Sequence, residues 1–284
     1  MQIGVITSKK DMAGMNIRDS LINLFDFEKN NEKFGNNPIF QLNNTNLKNK
    51  KNNKIIKLYT IETDTIHSEN IDKKINADLF IFATRHSASS GLKTLSCHSI
   101  GNFGKAEFGG KEKTLCISPS NFLKNAIIEL DKYGKDIGHE VTMEATHHGP
   151  FIEKPAMFIE IGSNEENWKN KEAANIIAKT IINILNNKND YESVFVIGGS
   201  HYNHAANKTM LKTSYAAGHI CAKYNLEKLD ENLIKEAMEK TSPKAKFVLL
   251  DWKGLGKEKQ RILDILEKNK IRYERSDRFF ENTG

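Results

Sequence analysis

Apolar runs of strand length recur along this chain, and one after another they break off at polar residues with chemistry to offer. The run 77–84 (ADLFIFAT) leads into Arg85-His86-Ser87, and 140–146 (EVTMEAT) leads into His147-His148-Gly149-Pro150. The run 156–161 (AMFIEI) meets Gly162-Ser163-Asn164-Glu165, 194–199 (VFVIGG) meets Ser200-His201-Tyr202, and 247–250 (FVLL) meets Asp251-Trp252-Lys253. Strands are also expected at 3–6, 55–61 and 271–273. Helical spacing separates them: in 16–25 the residues Ile17, Leu21, Leu24 and Phe25 fall on one face. A helix is expected over 119–132, with Ser118 as N-cap and Pro119 in the first turn, where a missing amide donor is harmless. A long helix over about 165–185 starts with acids, as the helix dipole prefers, and two more are expected at 231–240 and 257–268. This alternation predicts an α/β fold, a mixed, mostly parallel sheet with helices on both faces. Ligands of open α/β sheets bind outside the carboxyl ends of parallel strands, so the polar residues at these strand ends are expected to share one crevice.

No linker or internal repeat divides the 284 residues, which are expected to form a single catalytic domain over 1–284. The Asn/Lys-rich stretch at about 28–54 has few apolar residues and reads as a long polar loop or insertion, either plainly solvated or a basic arm that touches nucleic acid. No apolar run approaches the roughly 20 residues that span a bilayer, and residues 1–6 read as a strand, so a cytoplasmic protein is expected. Cys97, Cys116 and Cys221 are isolated and odd in number, which argues against a disulfide framework or a thiolate zinc cluster and leaves core packing as their role. Forty-two basic against 36 acidic residues, a net charge of +6, permits a polyanionic partner without demanding one.

The segment Glu144-Ala145-Thr146-His147-His148-Gly149-Pro150 carries the densest chemistry. Gly149-Pro150 forbids a continuing helix, so an E-x-x-H pair on one helix face is excluded. If the strand persists to His148, period two puts Glu144, Thr146 and His148 on one face and His147 on the other. The plain alternative for the two histidines is one capping a turn and one at the surface. His86-Ser87-Ala88-Ser89-Ser90-Gly91 can offer hydroxyls and backbone N–H groups to a phosphate, a carboxylate or an oxyanion. It lacks the spacing of a nucleotide P-loop or a dinucleotide fingerprint. His98 follows in a further strand and turn over 94–103. Glu160 interrupts an otherwise buried run and needs a partner, either a histidine or cation across the sheet, a substrate ammonium, or a proton to accept. Gly198-Gly199-Ser200-His201-Tyr202 adds a flexible turn with another imidazole, His204 lies close behind, and Gly218-His219 is a further polar position.

Together these segments resemble the archaeal and plant-type D-aminoacyl-tRNA deacylases (D-tyrosyl-tRNA deacylase type 2) nearly end to end. The likeness rests on His86-Ser87 through Gly91, Thr94-Leu95, His98 through Gly101-Asn102, the EATHHGP segment, Phe158-Ile159-Glu160-Ile161-Gly162-Ser163 with Glu166 and Trp168, and Gly198 through Tyr202. EATHHGP followed closely by IEIGS is specific as a combination. One departure stands out: after His201-Tyr202 the family more usually shows a Pro-Arg-like continuation, whereas Asn203-His204-Ala205 stands here, which puts a basic contact from that loop in question.

The resemblance implies hydrolysis of the ester joining a D-amino acid to the terminal ribose of tRNA, zinc dependence, a monomer, and a fold similar to the phosphorylase and peptidyl-tRNA hydrolase type. Ester cleavage needs an activated water, a stabilised oxyanion and a positioned leaving hydroxyl, and histidines with a carboxylate can hold zinc for that purpose. Glu144, His147, His148, His86 and His201 are the candidate catalytic residues, and His86, His98, Glu144 and His148 the candidate metal ligands. Ser87, Ser90, Gly91, Glu160 and Tyr202 are the candidate substrate-binding residues, with Glu160 receiving the α-ammonium. Chirality then follows from where a side chain fits once ammonium, carbonyl and ribose are fixed. Arg85, Lys93 and Lys105 are candidates for acceptor-stem phosphates. Three rivals share parts of this pattern: a metal-dependent peptidase or amidohydrolase, a nucleoside phosphorylase-like enzyme, and a non-catalytic tRNA-binding module.

Overall fold

The strand-length runs assemble into two sheets in a computed structural model that describes residues 1–43, 54–187 and 189–281. In chain order the strands begin with β1 (Gln2–Ser8), β2 (Phe27–Phe34), β3 (Asn37–Leu42), β4 (Ile55–Ile61), β5 (Leu79–Arg85) and β6 (Thr94–Ser99). Three two-residue strands follow, β7 (Gly101–Asn102), β8 (Thr114–Leu115) and β9 (Ser118–Pro119), and then β10 (Glu140–Met143) and β11 (Ala156–Gly162). The last are β12 (Glu192–Ile197), β13 (Tyr215–Cys221), β14 (Thr241–Ser242), β15 (Ala245–Leu250) and β16 (Tyr273–Arg275). The larger sheet runs β10-β6-β11-β5-β1-β4-β3-β2 and the smaller β13-β12-β15-β16, while β7 pairs with β8 and β14 with β9. All pairings within the smaller sheet are parallel. The larger sheet is parallel except where β11 meets β6 and in the β2-β3-β4 edge.

Period-two alternation decides what each face of the larger sheet holds. Ile3, Val5, Leu79, Ile81, Leu95, Cys97, Met157 and Ile159 turn to one side, in the core built with α1 (Met12–Leu24), α2 (Ser120–Gly134) and α4 (Lys171–Asn186). Ile6, Phe80, Phe82 and Phe158 turn to the other, into a smaller core with Ile71, Ile75 and Ile152. The smaller sheet has helices on both faces. Val194, Val196 and Phe247 join the first core with α5 (His204–Lys212), while Phe195, Ile197 and Val248 pack with α6 (Glu231–Glu239) and α7 (Lys259–Lys268). No helix among the described residues is long and apolar enough to cross a membrane.

Several expected elements change shape for identifiable reasons. The stretch expected as a loop at 28–54 includes most of β2 and all of β3, an antiparallel hairpin on the sheet edge. Three buried apolar residues, Phe27, Ile39 and Leu42, suffice to pin it, and the rest of an edge hairpin faces water and stays polar. Residues 44–53 of that stretch lie outside the described residues. The long helix at 165–185 is two, α3 (Glu165–Trp168) and α4, because the Asn170 side chain accepts from the amides of Glu172 and Ala173 at 2.9 and 3.1 Å and starts a new helix. Ser118 does not cap α2. It lies in β9, its Oγ 2.6 Å from Ser99 Oγ, and Pro119 takes the N-cap position. Sequence periodicity missed α5 and β13, short elements without a clean apolar stripe.

α5 is held at its C-terminal end by an unusual donor. Lys124, on α2, is buried, and its ammonium donates to the carbonyls of Met210, Thr213 and Tyr215 at 2.7, 2.8 and 2.9 Å, with Thr209 O at 3.4 Å. Those of Thr209, Met210 and Thr213 are carbonyls that the end of α5 leaves without intrahelical partners, Tyr215 opens β13, and a cation there also opposes the negative end of the helix dipole. Lys124→Met, which keeps the stem and removes the donor, is expected to lower stability by about 2–4 kcal/mol. Urea unfolding measures this, and a midpoint equal to that of the parent chain contradicts the assignment.

Candidate active site

On the second face of the larger sheet, the alternation that buries Phe82 and Phe158 continues into polar residues, and three rows of neighbours run across β5, β11 and β6. Phe158 pairs with Phe82 on one side and His98 on the other; Glu160 pairs with Thr84 and Ser96; Gly162 pairs with Thr94 and stands beside His86. In the first row the rings stack, Phe82 on Phe158 at 4.8 Å and Phe158 on His98 at 5.1 Å between centroids. In the second, Thr84 Oγ1 donates to Glu160 Oε1 at 2.6 Å. Gly162 is required in the third, since a Cβ there would come within 2.1 Å of Thr94 Oγ1 and 3.3 Å of the His86 ring.

Glu144, His147 and His148 reach the same face from the segment after β10. Met143 stands opposite Cys97 but His147 stands opposite Ile100, four steps along one segment against three along the other. One extra residue in a ladder reverses the side-chain alternation beyond it. This corrects the expected period-two arrangement: Glu144 and His147 look into one cluster, while Thr146 turns away to bond His219 Nδ1 at 3.2 Å. His148 leaves the strand with φ 50°. The loop after β12 then pairs against this segment, with the Ala145 amide donating to His201 O at 2.8 Å and Glu144 bridged to Tyr202, which sets His201 beside Glu144.

Glu144 is fully buried and lies at the centre. Its Oε2 is 3.0 Å from His201 Nε2, 3.1 Å from His86 Nδ1 and 3.7 Å from His147 Nε2. Glu160 Oε2 lies 3.5 Å from His86 Nδ1 and 3.6 Å from His98 Nε2, so His86 sits between the two carboxylates. Three imidazoles have Nδ1 committed to main-chain carbonyls: His98 to Ser99 at 3.0 Å, His147 to Ala145 at 2.7 Å and His148 to Gly149 at 2.6 Å. In the neutral ring an Nδ1–H donating to a carbonyl leaves Nε2 as a lone pair. His201 Nδ1 meets the Tyr224 hydroxyl at 3.0 Å, and Trp168 Nε1 donates to His86 O at 3.0 Å.

The charge states diverge. Burial opposes a charge on His86, yet its bonds to Glu144 and Glu160 carry its pKa up to about 10. His98 is likewise raised against its burial by Glu160. Burial works against ionising Glu160 too, but His86 and His98 hold it down to about 2, and His201 and His86 hold Glu144 well below the usual carboxylate range. Burial first, and then the neighbouring imidazoles, push His147 well below its ordinary value; burial and His98 push His148 down to about 4. Burial raises Tyr202 to about 12, which keeps its hydroxyl protonated. His86 Nε2 and Glu144 Oε1 are buried without a hydrogen-bond partner.

All of the candidate catalytic residues come together here, and a cavity of about 680 Å³ has His86, His147, His148, Glu160, His201 and Tyr202 in its walls. Ser87 and Ser90 line it as well, and Gly91 lies just past them with φ 65°. The four expected metal ligands do not close into one group. Ligand atoms of His86, Glu144, His147 and His201 lie within 4.8 Å of one another, His98 and His148 group with His147, and His98 groups with Glu144 and Glu160. The Phe158 ring lies against both His98 and His148, at 5.1 and 4.8 Å between centroids. Sequence reasoning left out Thr84, Asp11 and Tyr224. Asp11, whose carboxylate caps α1 through Gly14 N at 2.8 Å, also lines the cavity and is raised to about 6 by burial. A polar residue closing the apolar run 77–84 was the available signal for Thr84.

The model of a family described as D-aminoacyl-tRNA deacylase matches residues 73–274. The D-aminoacyl-tRNA deacylases of Thermococcus kodakarensis and Pyrococcus furiosus are 36% and 34% identical to this chain over 88% of its length and 90% of theirs. That of Archaeoglobus fulgidus is 33% identical over 92% of this chain and 91% of its own. A crystal structure of a conserved protein of unknown function superposes with a TM-score of 0.85 at 30% identity, over 98% of this chain and 96% of that one.

The shift on His86 predicts a pH dependence of stability. A raised folded-state pKa contributes stability that is complete below the unfolded value of 6.5 and is lost as pH rises through about 10. In chelator-treated protein the unfolding free energy is therefore expected to fall between pH 6.5 and 10, and His86→Gln to remove most of that slope. Urea titrations across this range measure it, and equal slopes in the two proteins would contradict the His86 pairing.

Proposed function

The chain belongs to the D-aminoacyl-tRNA deacylase family and is a hydrolase that cleaves the ester bond of D-aminoacyl-tRNA, and from that premise we propose that the reaction takes place in the cavity walled by the histidine and carboxylate cluster. The observation that carries this reading is the cluster itself: two buried carboxylates among five imidazoles, with unpartnered polar atoms, at a cavity of about 680 Å³. That volume lies in the range of small-molecule sites, about 300–1,000 Å³.

Zinc fits the donors. Imidazoles tied at Nδ1 to carbonyls present Nε2 lone pairs, the form in which histidine binds metal, and a buried carboxylate oxygen without a partner is a ready ligand. Glu144, His147 and His201 would hold the ion, a two-histidine, one-carboxylate set of the kind that leaves a position open. Zinc held there supplies a Lewis acid that polarises the ester carbonyl and lowers the pKa of a water to about 7.

The chain's own residues do the remaining work. Glu160, anionic and anchored by Thr84, receives the substrate's α-ammonium at Oε2. The Tyr202 hydroxyl, protonated and in the cavity wall, donates to the oxygen on which negative charge develops. His148, neutral at pH 7, accepts the proton of the attacking water at Nε2, and His86, cationic between two carboxylates, returns one from Nε2 to the leaving ribose oxygen. Hydroxyls and amides of Ser87, Ser90 and Gly91 hold the ribose end. With ammonium, carbonyl and ribose each fixed, the two enantiomers send their side chains in different directions, and the cavity admits the D side chain. A monomer acting in the cytoplasm, where tRNA is charged and used, completes this proposal.

Glu144→Gln is expected to lower deacylation of D-tyrosyl-tRNA by about 10²–10⁴-fold. Chelation is expected to abolish activity and zinc to restore it, with metal analysis finding zinc in the parent chain and little in the variant. Hydrolysis of the L ester at the same rate would defeat the chiral reading. Full activity in a chelated, metal-free sample would defeat the zinc assignment alone.

A further inference from the structure

A second cavity opens on the far side of His147 and His148, and its walls are of a different kind. It measures about 280 Å³, and Phe108, Tyr224, Lys105 and Lys228 line it, with Glu107 the one acid among its described walls. Eight large hydrophobic side chains stand exposed among the described residues; two are aromatic, Phe108 at 63% and Tyr224 at 47%, and both stand here. Phe108 belongs to the walls of both cavities, and Tyr224 reaches the catalytic cluster through His201 Nδ1.

The exposure of Phe108 is not that of a loose loop. Its carbonyl accepts from Gly149 N at 3.0 Å, the next residue's carbonyl accepts from Asn102 Nδ2 at 3.0 Å, and Glu69 Oε1 accepts from Gly110 N at 2.6 Å. A fixed main chain thus holds an apolar ring out in water beside an active site. An aromatic ring so placed has a π-face to offer, and single-stranded nucleic acid is bound by stacking bases on such rings while lysines follow the backbone. The Lys228 stem lies against Gly104, where a Cβ would come within 2.6 Å of its Cδ, and this directs the ammonium along the cavity wall.

We propose that this second cavity is the subsite for the nucleotide that precedes the terminal adenosine of the tRNA 3′ end, its base stacked on Phe108 and Tyr224 and its phosphates met by Lys105 and Lys228. The inference rests on the deacylase reading of the neighbouring cavity and extends it: the aminoacylated adenosine occupies the larger cavity, and the chain of the RNA leaves across His147 and His148. It also explains how a cluster of imidazoles able to open many esters is kept for one carried by RNA.

The test compares two esters of one D-amino acid, D-tyrosyl-tRNA and D-tyrosyl-adenosine, which lacks every nucleotide that the subsite would hold. With Phe108→Ala, kcat/KM on the tRNA ester is expected to fall by about ten- to a hundredfold, the size of one lost base stack. On D-tyrosyl-adenosine Phe108→Ala is expected to cost less than on the tRNA ester, because Phe108 also borders the larger cavity, while Lys105→Met with Lys228→Met, whose side chains line only the second cavity, is expected to stay within about twofold, which a folding defect would not permit. Lys105→Met together with Lys228→Met is expected to flatten the dependence of log kcat/KM on log salt for the tRNA ester by about one unit or more. Equal losses on both esters, no loss on the tRNA ester, or a parent chain that uses D-tyrosyl-adenosine as well as the tRNA ester would each overturn the subsite. A parent chain inert toward both would instead overturn the deacylase reading, and the subsite with it.

Discussion

The Glu144 carboxylate is the constraint around which the site is organised. It is fully buried, and a lone ionised carboxylate in that position is among the most expensive things a protein can contain. Its compensation comes from two places: His86, at the end of β5 in the larger sheet, and His201, in the loop after β12 in the smaller one. The same pairing therefore solvates the acid and joins the sheets. The main chain agrees, because the stretch carrying Glu144 bonds to Cys97 O on one side and to the His201 carbonyl on the other through successive amides. A group with so many fixed partners has little freedom to reorganise, which is what a preorganised site requires.

A single antiparallel pairing decides where the site lies. Were every strand parallel, the imidazoles would gather beyond the carboxyl edges, and this holds for His86 after β5 in the larger sheet and His201 after β12 in the smaller one. Because β6 runs against β11, His98 pairs with Phe158 and lands within the sheet, while Glu160 lies in the interior of β11. The result is a site laid on a sheet face, with Phe158 as its floor and the segment after β10 folded over it. The opposite face keeps the larger apolar core with α1, α2 and α4. Hydrophobic burial is thus concentrated on the side where no chemistry occurs, and it can bear the cost of polar groups held dry on the other.

Much of this was legible in residue patterns, and the parts that were not have physical reasons. An acid within an apolar run, Glu160, announced itself, as did the clustering of His, Glu and Ser at run ends, because each violates the composition of a buried strand. The extra residue between Met143 and His147 left no trace in the pattern, since every residue from Glu144 to His147 is compatible with either face. The direction of β6 was equally silent: alternation reports which face a side chain takes, not which way its neighbour runs. The edge hairpin was hidden by its own solvation. Asn203, standing where the family more usually turns to a Pro-Arg-like sequence, proves to be structural, as its side chain accepts from Ala206 N at 2.9 Å to cap α5 and donates to Gly198 O at 2.9 Å.

Five imidazoles within one cluster do not behave alike, and their differences follow from position relative to two negative charges. His86 and His98 face carboxylate oxygens and keep protons; His147 and His148 commit Nδ1 to main-chain carbonyls, lie next to those cations, and lose them. Ester hydrolysis asks for this division, because the attacking water must give up a proton while the leaving alkoxide must gain one at the same pH. A uniform set of histidines at their ordinary pKa would be mixtures of both forms, and only a fraction of molecules would hold the productive arrangement. In the proposed mechanism the fold sets donor and acceptor before substrate arrives, by placing one imidazole between two acids and others beside a cation. In that mechanism Glu144 and Glu160 therefore act partly through the protons they hold on His86 and His98, beside the cavity where the ester is to bind.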